Sequence, residues 1–163
     1  MKNISTNITY KEAIKSNTAS RNNIDNTPSK EQLEAMELVA DKVFQPVREH
    51  FGVPIYISSF FRSTELNIKV GGSETSTHPK GESIDMDADV FGGVTNREIF
   101  DYIKDNLKFD QLIAEFELDG QPRWVHISYV KENNRNQILI AVKIKNKTKY
   151  KKYTKEFWRE IYG

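Results

Sequence analysis

The sequence contains no cysteine among its 163 residues. This absence excludes thiol nucleophiles, thiolate metal ligands and disulfide bonds, and it leaves the redox compartment undetermined. Histidine is scarce as well, because the chain has three, His50, His78 and His126. A metal ion in this protein must therefore be held by histidine, aspartate or glutamate.

Long hydrophobic runs are missing too. No stretch approaches the roughly 18 apolar residues that a membrane span requires, and residues 1–20 lack the apolar core of a signal peptide. We therefore expect no membrane span, and synthesis in the cytoplasm without a signal peptide.

Neither sign of charge is in excess, since the chain has 24 lysines and arginines and 23 aspartates and glutamates. This balance gives no reason to expect nucleic acid as the main partner.

The length fits a single domain, residues 1–163. Residues 1–8 are mostly polar and are expected to be loose, and residues 146–163 form a lysine-rich C-terminal extension. Aromatic residues among those lysines suggest nucleic acid or a cell wall as a partner. Charge runs of this kind more often belong to a solvated strand and a short amphipathic helix, which is the interpretation we favour.

Helix starts are marked by a capping residue followed three positions later by a glutamate or glutamine. The sequence has three such pairs: Thr9 and Glu12, Ser29 and Gln32, and Thr95 and Glu98. The first predicted helix is short and ends near Ser16, and a loop follows it to Pro28. The second has apolar residues at helical spacing up to Gly52, and we expect a bend at Pro46.

Five segments have the apolar or alternating character of strands: PIYISSF, SIDMDADV, QLIAEF, RWVHISYV and QILIAVKI. In SIDMDADV the alternation puts Asp85, Asp87 and Asp89 together on one polar face. Asp119 and Gly120 form the turn that joins QLIAEF to RWVHISYV as a hairpin. These elements predict an α+β fold in which helices pack on one face of a mainly antiparallel sheet.

The segment STHPKGESIDMD, residues 76–87, carries the first candidate site residues. Pro79 and Gly81 break the backbone between His78 and Asp85, so His78 is expected in a loop that leads into the strand of Asp85. The two side chains can then converge. In WVHISY the alternation puts His126 on an ordered strand face.

Two neutral imidazoles and one carboxylate suit a tetrahedral zinc site that keeps its fourth position for water. Taken singly, however, His78 and His126 are each more typical of a core or surface histidine than of a metal ligand. His50 falls in the last turn of the long predicted helix, where a histidine interacts favourably with the helix dipole, and we interpret it as structural.

Two longer stretches resemble the M15 family of zinc peptidases: SFFRSTELNIKVGGSETSTHPKGESIDMDADV and FDQLIAEFELDGQPRWVHISY. That family includes D-Ala-D-Ala carboxypeptidases and the L-alanyl-D-glutamate endopeptidases of phage endolysins, which share a hedgehog-like fold. The resemblance implies that His78, Asp85 and His126 are the Zn²⁺ ligands. It also implies that Arg62 stabilises the polarised scissile carbonyl; the less favoured alternative is a solvated arginine that caps the following helix.

Four positions depart from the family pattern. Ser83 stands where alanine is usual, and Phe60 and Phe61 precede the arginine in place of Gly-Tyr. Some relatives have an acidic residue three positions before the second histidine ligand, where this chain has Arg123. The general base therefore cannot be transferred from those relatives.

Hairpin geometry offers Glu115 as the base. If the hairpin closes symmetrically around Asp119 and Gly120, Glu115 lies opposite Trp124 and is a diagonal neighbour of His126 on the same face, with about 7–8 Å between Cα atoms. The alternative is that Glu115 is an ordinary surface residue. Two further carboxylates on the predicted face of Asp85 are second candidates for a supporting role: Asp87 and Asp89.

The resemblance implies hydrolysis of a peptide bond next to a D-amino acid in the stem or cross-link of peptidoglycan. We expect a monomer that acts on the bacterial cell wall after phage-type release, with no specific nucleic-acid partner. An alternative is a non-catalytic zinc-containing binding module, which the absence of an acid at position 123 favours. Another is a basic-tailed virion protein that binds DNA in a strongly salt-dependent way.

Overall fold

The computed structural model describes residues 3–163. Its sheet is built from β1 (Tyr56–Ser59), β2 (Ser83–Asp87), β3 (Gln111–Leu118), β4 (Gln121–Ser128), β5 (Gln137–Ile144) and β6 (Lys147–Lys152). In space the order is β1-β2-β4-β3-β5-β6. Neighbouring strands are antiparallel, apart from the parallel pair β3 and β5. The predicted α+β class and mainly antiparallel sheet are confirmed.

The helices are α1 (Tyr10–Ala13), α2 (Asn17–Asn22), α3 (Lys30–Val39), α4 (Gln45–Phe51), α5 (Thr64–Lys69), α6 (Asn96–Asn106) and α7 (Lys155–Tyr162). All three predicted capping residues cap their helices, because the side chains of Thr9, Ser29 and Thr95 each accept a hydrogen bond from the backbone N–H three positions later. Within residues 3–163 no helix has both the length and the apolar character needed to cross a membrane.

The irregularity expected at Pro46 takes the form of a π-helical turn, Ala40–Phe44, between α3 and α4. Proline has no N–H, and its ring collides with the carbonyl group four residues earlier in a regular α-helix. A wider turn just before the proline accommodates both features. The N–H of Gln45 accordingly bonds the carbonyl of Ala40, five residues back.

Two local predictions are wrong. Residues 17–22 form α2 instead of a loop, and Ser16 caps this helix by accepting a hydrogen bond from the N–H of Ala19. Residues 3–8 are not loose, because Ile4 and Ile8 are buried in the hydrophobic core. Residues 1 and 2 of the segment predicted to be loose lie outside the described residues. Isolated apolar side chains in a polar segment gave too little periodicity to reveal this burial.

The sheet has one apolar face and one polar face. Side chains of the apolar face belong to the main hydrophobic core together with residues of the helices: Ile84, Met86, Leu112, Ala114, Val125 and Ile127. The intervening positions on the same strands project to the opposite face. They include the candidate site residues Asp85, Glu115 and His126. The core thus supports the strands from behind while their other face is available for chemistry.

The C-terminal extension is part of this fold, as strand β6 and helix α7. The ring of Trp158 stacks on Phe100 of α6 with 4.5 Å between centroids, and Arg97 donates a hydrogen bond to the carbonyl of Tyr162. Trp158 and Tyr162 are only 5% and 2% exposed, so both belong to the hydrophobic core.

Trp158→Ala should therefore lower the free energy of unfolding by about 3–5 kcal/mol, because it leaves a cavity against Phe100. Urea denaturation followed by circular dichroism measures this change. Ile68→Ala is the control, since Ile68 is 72% exposed on α5, and it should change the stability by less than about 0.5 kcal/mol. Equal stability of the two variants would contradict the packing of α7.

Candidate metal centre

Three separate elements bring the predicted metal ligands together. His78 begins a short 3₁₀ turn, Asp85 lies in the middle of β2, and His126 is the residue paired with Asp85 on β4. One ligand atom from each side chain lies within 4.8 Å of the others. In the part of the chain that the structure describes, this is the group of histidine and acidic residues that could hold a metal ion.

The ring of His78 is oriented by a backbone carbonyl. Its Nδ1 lies 2.5 Å from the carbonyl oxygen of Phe60 and donates to it, which leaves Nε2 as the atom with a free lone pair. Nε2 is buried and forms no hydrogen bond within residues 3–163, although Asp85 Oδ2 lies only 3.2 Å away. A buried nitrogen without a hydrogen bond is costly.

A metal ion would satisfy that nitrogen. The other oxygen of Asp85, Oδ1, lies 2.7 Å from Nδ1 of His126, so both histidines converge on one carboxylate. Two imidazole nitrogens and a carboxylate match the donor set of catalytic zinc sites with three protein ligands. The residues present therefore fit Zn²⁺.

The loop between His78 and β2 is held by the start of α3. The side-chain amide of Gln32 donates from Nε2 to the carbonyl of Pro79, and its Oε1 accepts from the N–H of Ser29 in the capping box. Gly81 has φ +75°, and a Cβ there would lie 2.5 Å from the carbonyl oxygen of Gln32. The same side chain thus caps the helix and fixes the histidine loop, and only glycine fits at position 81.

Arg62 is positioned by the segment that also orients His78. The buried side chain of Asn26 donates to the carbonyl of Phe61 and accepts from the N–H of Ser63, at 3.2 and 2.7 Å. These two bonds bracket Arg62. Its guanidinium Nη2 lies 3.9 Å from Oδ2 of Asp85, and its side chain is 20% exposed.

Glu115 lies where the hairpin prediction put it. Strands β3 and β4 pair Glu115 with Trp124 and Ile113 with His126, so Glu115 is a diagonal neighbour of His126 on the same face. Glu115 is 7% exposed and is therefore not a surface residue. A cleft of about 420 Å³ is lined by all five candidate residues, among others: Arg62, His78, Asp85, Glu115 and His126.

Burial and neighbouring charges set the protonation of these groups. Burial would raise the pKa of Asp85, but His78 and His126 outweigh this effect and lower it below its ordinary range. Burial lowers the pKa of His78 and keeps the ring neutral. A carboxylate anion and a neutral imidazole are the forms that bind metal. Burial raises the pKa of Glu115 to about 7, an effect that His126 opposes and Asp85 reinforces.

Asp87 and Asp89, the predicted supporting carboxylates, lie outside the cluster. Both accept hydrogen bonds from the side-chain amide of Asn96, at 3.1 and 3.0 Å. Asn96 is fully buried at the start of α6, so the two aspartates anchor that helix. The strand ends at Asp87 and a 3₁₀ turn, Ala88–Val90, follows, so the predicted alternation does not continue to Asp89.

Three other residues discussed in the sequence analysis contribute no ligand atom to the cluster: His50, Ser83 and Arg123. The ring of His50 stacks on Tyr102 at 4.0 Å between centroids, which agrees with a structural role. Ser83 is fully buried opposite Ser128 on β4. Arg123 is exposed on β4.

Two cleft residues, Arg135 and Tyr150, were missed from the sequence. Arg135 is held by the buried carboxylate of Asp110, with Nε 2.7 Å from Oδ1. Both residues enter the cleft because β5 pairs in parallel with β3 and β6 follows it. The sequence predicts β5 as a strand, but it does not show that β5 pairs with β3.

A polar sheet face that brings together a His-Asp-His cluster, a buried glutamate and an arginine is the arrangement expected of a metal-dependent hydrolase. The chain matches the model of the peptidase M15 family over residues 6–128. It therefore belongs to the peptidase M15 family and is a metallopeptidase, which confirms the resemblance found in the sequence. Among the curated proteins, none matches this chain.

Metal binding provides the first test of the cluster. His78→Ala and His126→Ala should each weaken zinc affinity by more than about 100-fold, because even changes outside the ligand shell cost 10–100-fold. Competition with a chromogenic chelator gives the affinity. His50→Ala is the matched histidine control and should bind zinc like the wild type; equal loss in all three variants would contradict the assignment.

The buried carboxylate provides a second test, in the metal-free protein. Because the folded-state pKa of Glu115 is about 7 against an ordinary value of 4.5, its ionised form destabilises the fold above pH 7, and this penalty disappears below pH 4.5. Glu115→Gln should therefore be more stable than the wild type near pH 8, by up to about 3 kcal/mol.

That difference should shrink near pH 5, and urea denaturation at the two pH values measures it. Glu132→Gln replaces an exposed glutamate and should leave the stability at both pH values unchanged. A stability gap for Glu115→Gln that is the same at both pH values would count against the raised pKa.

Proposed function

We propose that this protein is a zinc peptidase that hydrolyses a peptide bond in the stem or cross-link of peptidoglycan, next to a D-amino acid. The reaction is of the L-alanyl-D-glutamate endopeptidase or D-Ala-D-Ala carboxypeptidase type and serves lysis or remodelling of the bacterial cell wall. The observation that carries this proposal is the convergence of buried His78 and Asp85 with partly buried His126, and with Glu115 and Arg62, in one cleft.

In this proposal His78, Asp85 and His126 hold the zinc ion, which supplies Lewis acidity and makes water nucleophilic near neutral pH. The Phe60 carbonyl keeps the proton of His78 on Nδ1, so that the lone pair of Nε2 stays available to bind the metal. Asp85 contributes the negative charge that favours a cation between the two histidines.

Glu115 acts as the general base. It lies on the same sheet face as His126 and is buried in the cleft, so it can take a proton from the attacking water and pass it to the leaving amine. One carboxylate in both roles requires no covalent intermediate. The absence of an acid at position 123 therefore leaves the chemistry intact.

Arg62 stabilises negative charge on the scissile carbonyl oxygen. Its backbone is fixed on both sides by Asn26 and its guanidinium is largely buried. A preorganised cation in a water-poor cleft stabilises a developing oxyanion more than a solvated one does.

The substrate assignment is supported by two arginines among the residues that line the cleft. Arg62 and Arg135 both line it, and Asp110 fixes the guanidinium of Arg135. Stem peptides of peptidoglycan carry free carboxylates, and the guanidinium of Arg62 can bind a carboxylate through charge-assisted hydrogen bonds, whereas Nε and Nη2 of Arg135 already donate to Asp110. A carboxylate-bearing peptide therefore suits this cleft.

The decisive experiment measures release of free amines from purified peptidoglycan. Glu115→Gln should lower the rate by about 10²–10⁴-fold, the usual contribution of a general base, while its zinc content stays that of the wild type. Mass spectrometry of the products identifies the bond.

Glu117→Gln is the control on the same strand, because Glu117 is exposed and should be dispensable. Zinc binding without cleavage by the wild type would contradict the proposal and favour the non-catalytic binding module.

A further inference from the structure

The wall of the cleft extends beyond the part of the chain that matches the M15 family. The match ends at residue 128, whereas Arg135, Leu139 and Tyr150 also line the cleft. These residues come from the segment before β5, from β5 and from β6. The C-terminal strands therefore add contacts that the family pattern does not include.

Tyr150 lies in register with the proposed base. Strand β6 pairs Tyr150 with Ala141 of β5, and β5 pairs Ala141 with Glu115 of β3. Paired residues project to the same face of a sheet, so Tyr150 and Glu115 stand on one row, about 10 Å apart at two strand spacings. Ala141 between them has only a methyl group, which leaves room for the tyrosine ring over the sheet.

The side chain of Tyr150 has no structural partner within residues 3–163. It makes no hydrogen bond and no ring contact there, and the residue is 50% exposed. Tyr153 and Tyr162, in contrast, both pack against Trp158. Neither a hydrogen bond nor a ring contact within the described residues therefore explains a half-buried tyrosine on a strand otherwise rich in lysine.

Electrostatics connect this hydroxyl to the reactive groups. Burial raises the pKa of Tyr150, and the charges of Glu115 and Asp85 raise it further, while Arg62 opposes them. The hydroxyl therefore keeps its proton at neutral pH and is able to donate it to an acceptor. Arg62 enters the cleft from beyond β1, whereas Tyr150 enters from β6, at the opposite edge of the sheet.

We propose that Tyr150 is a substrate-binding residue whose hydroxyl donates a hydrogen bond to a carbonyl or carboxylate oxygen of the peptide in the cleft, on the side opposite Arg62. This inference rests on the proposed function, because it requires a peptide substrate at the zinc site. A peptide that lies across the polar sheet face is then held from both edges, by a guanidinium on one side and a phenol on the other.

The test compares Tyr150→Phe with the wild type, both as full-length, zinc-loaded protein, on a synthetic stem peptide that contains D-glutamate and D-alanine. Removal of one hydrogen bond should lower kcat/KM by about tenfold. Zinc content and melting temperature should not change, because the hydroxyl makes no hydrogen bond within residues 3–163. Tyr102→Phe, whose ring stacks on His50 away from the cleft, is the matched control.

A binding measurement separates this inference from the proposed function. In the inactive Glu115→Gln background, Tyr150→Phe should weaken the affinity for the same peptide by a similar factor in calorimetry. Cleavage and binding that are unaffected by Tyr150→Phe would overturn the role of Tyr150 and leave the peptidase intact. A wild-type protein that neither cleaves nor binds the peptide would overturn both.

Discussion

The antiparallel pairing of β2 with β4 puts Asp85 directly opposite His126, and the rest of the site depends on this one contact. On one side, β1 pairs with β2 and leads into the segment whose Phe60 carbonyl orients His78. On the other side, β3 pairs with β4 and presents Glu115. A shift of one residue in this register would turn Asp85 toward the apolar core and disperse the cluster.

This arrangement has an energetic cost. The described chain buries Asp85 and Glu115, and it leaves Nε2 of His78 without a hydrogen bond. Buried groups of this kind destabilise a fold unless they are paired. The core behind the sheet offsets part of that cost, and a metal ion that bound only the folded state would stabilise it further by mass action. The buried polar groups of the proposed site therefore lower the free energy of unfolding in the metal-free protein, and metal binding would restore it.

Much of the fold could be predicted because it is encoded locally. The capping residues Thr9, Ser29 and Thr95 act within one helical turn, and the turn at Asp119 and Gly120 fixes the hairpin register on which the position of Glu115 depends. The convergence of the three proposed ligands also followed from the strand alternation, once the family resemblance had selected His78 and His126.

The predictions that were wrong or missing have a different cause. The burial of Ile4 and Ile8 and the position of Tyr150 depend on contacts between distant parts of the chain, and periodicity cannot reveal these. Asp87 and Asp89 shared a predicted face with Asp85, but the buried amide of Asn96 draws both of them to the start of α6. Alternation predicts the direction of a side chain within a strand, and it does not predict where the strand ends.

The hydrophobic core joins segments that are far apart in the sequence, since it includes Ile4 and Ile8 as well as Trp158 and Tyr162. Contacts over such sequence distances form slowly, and this core is complete only when α7 packs against α6. The apolar face of the sheet that supports the proposed site is therefore completed by the segments most distant from the site in sequence.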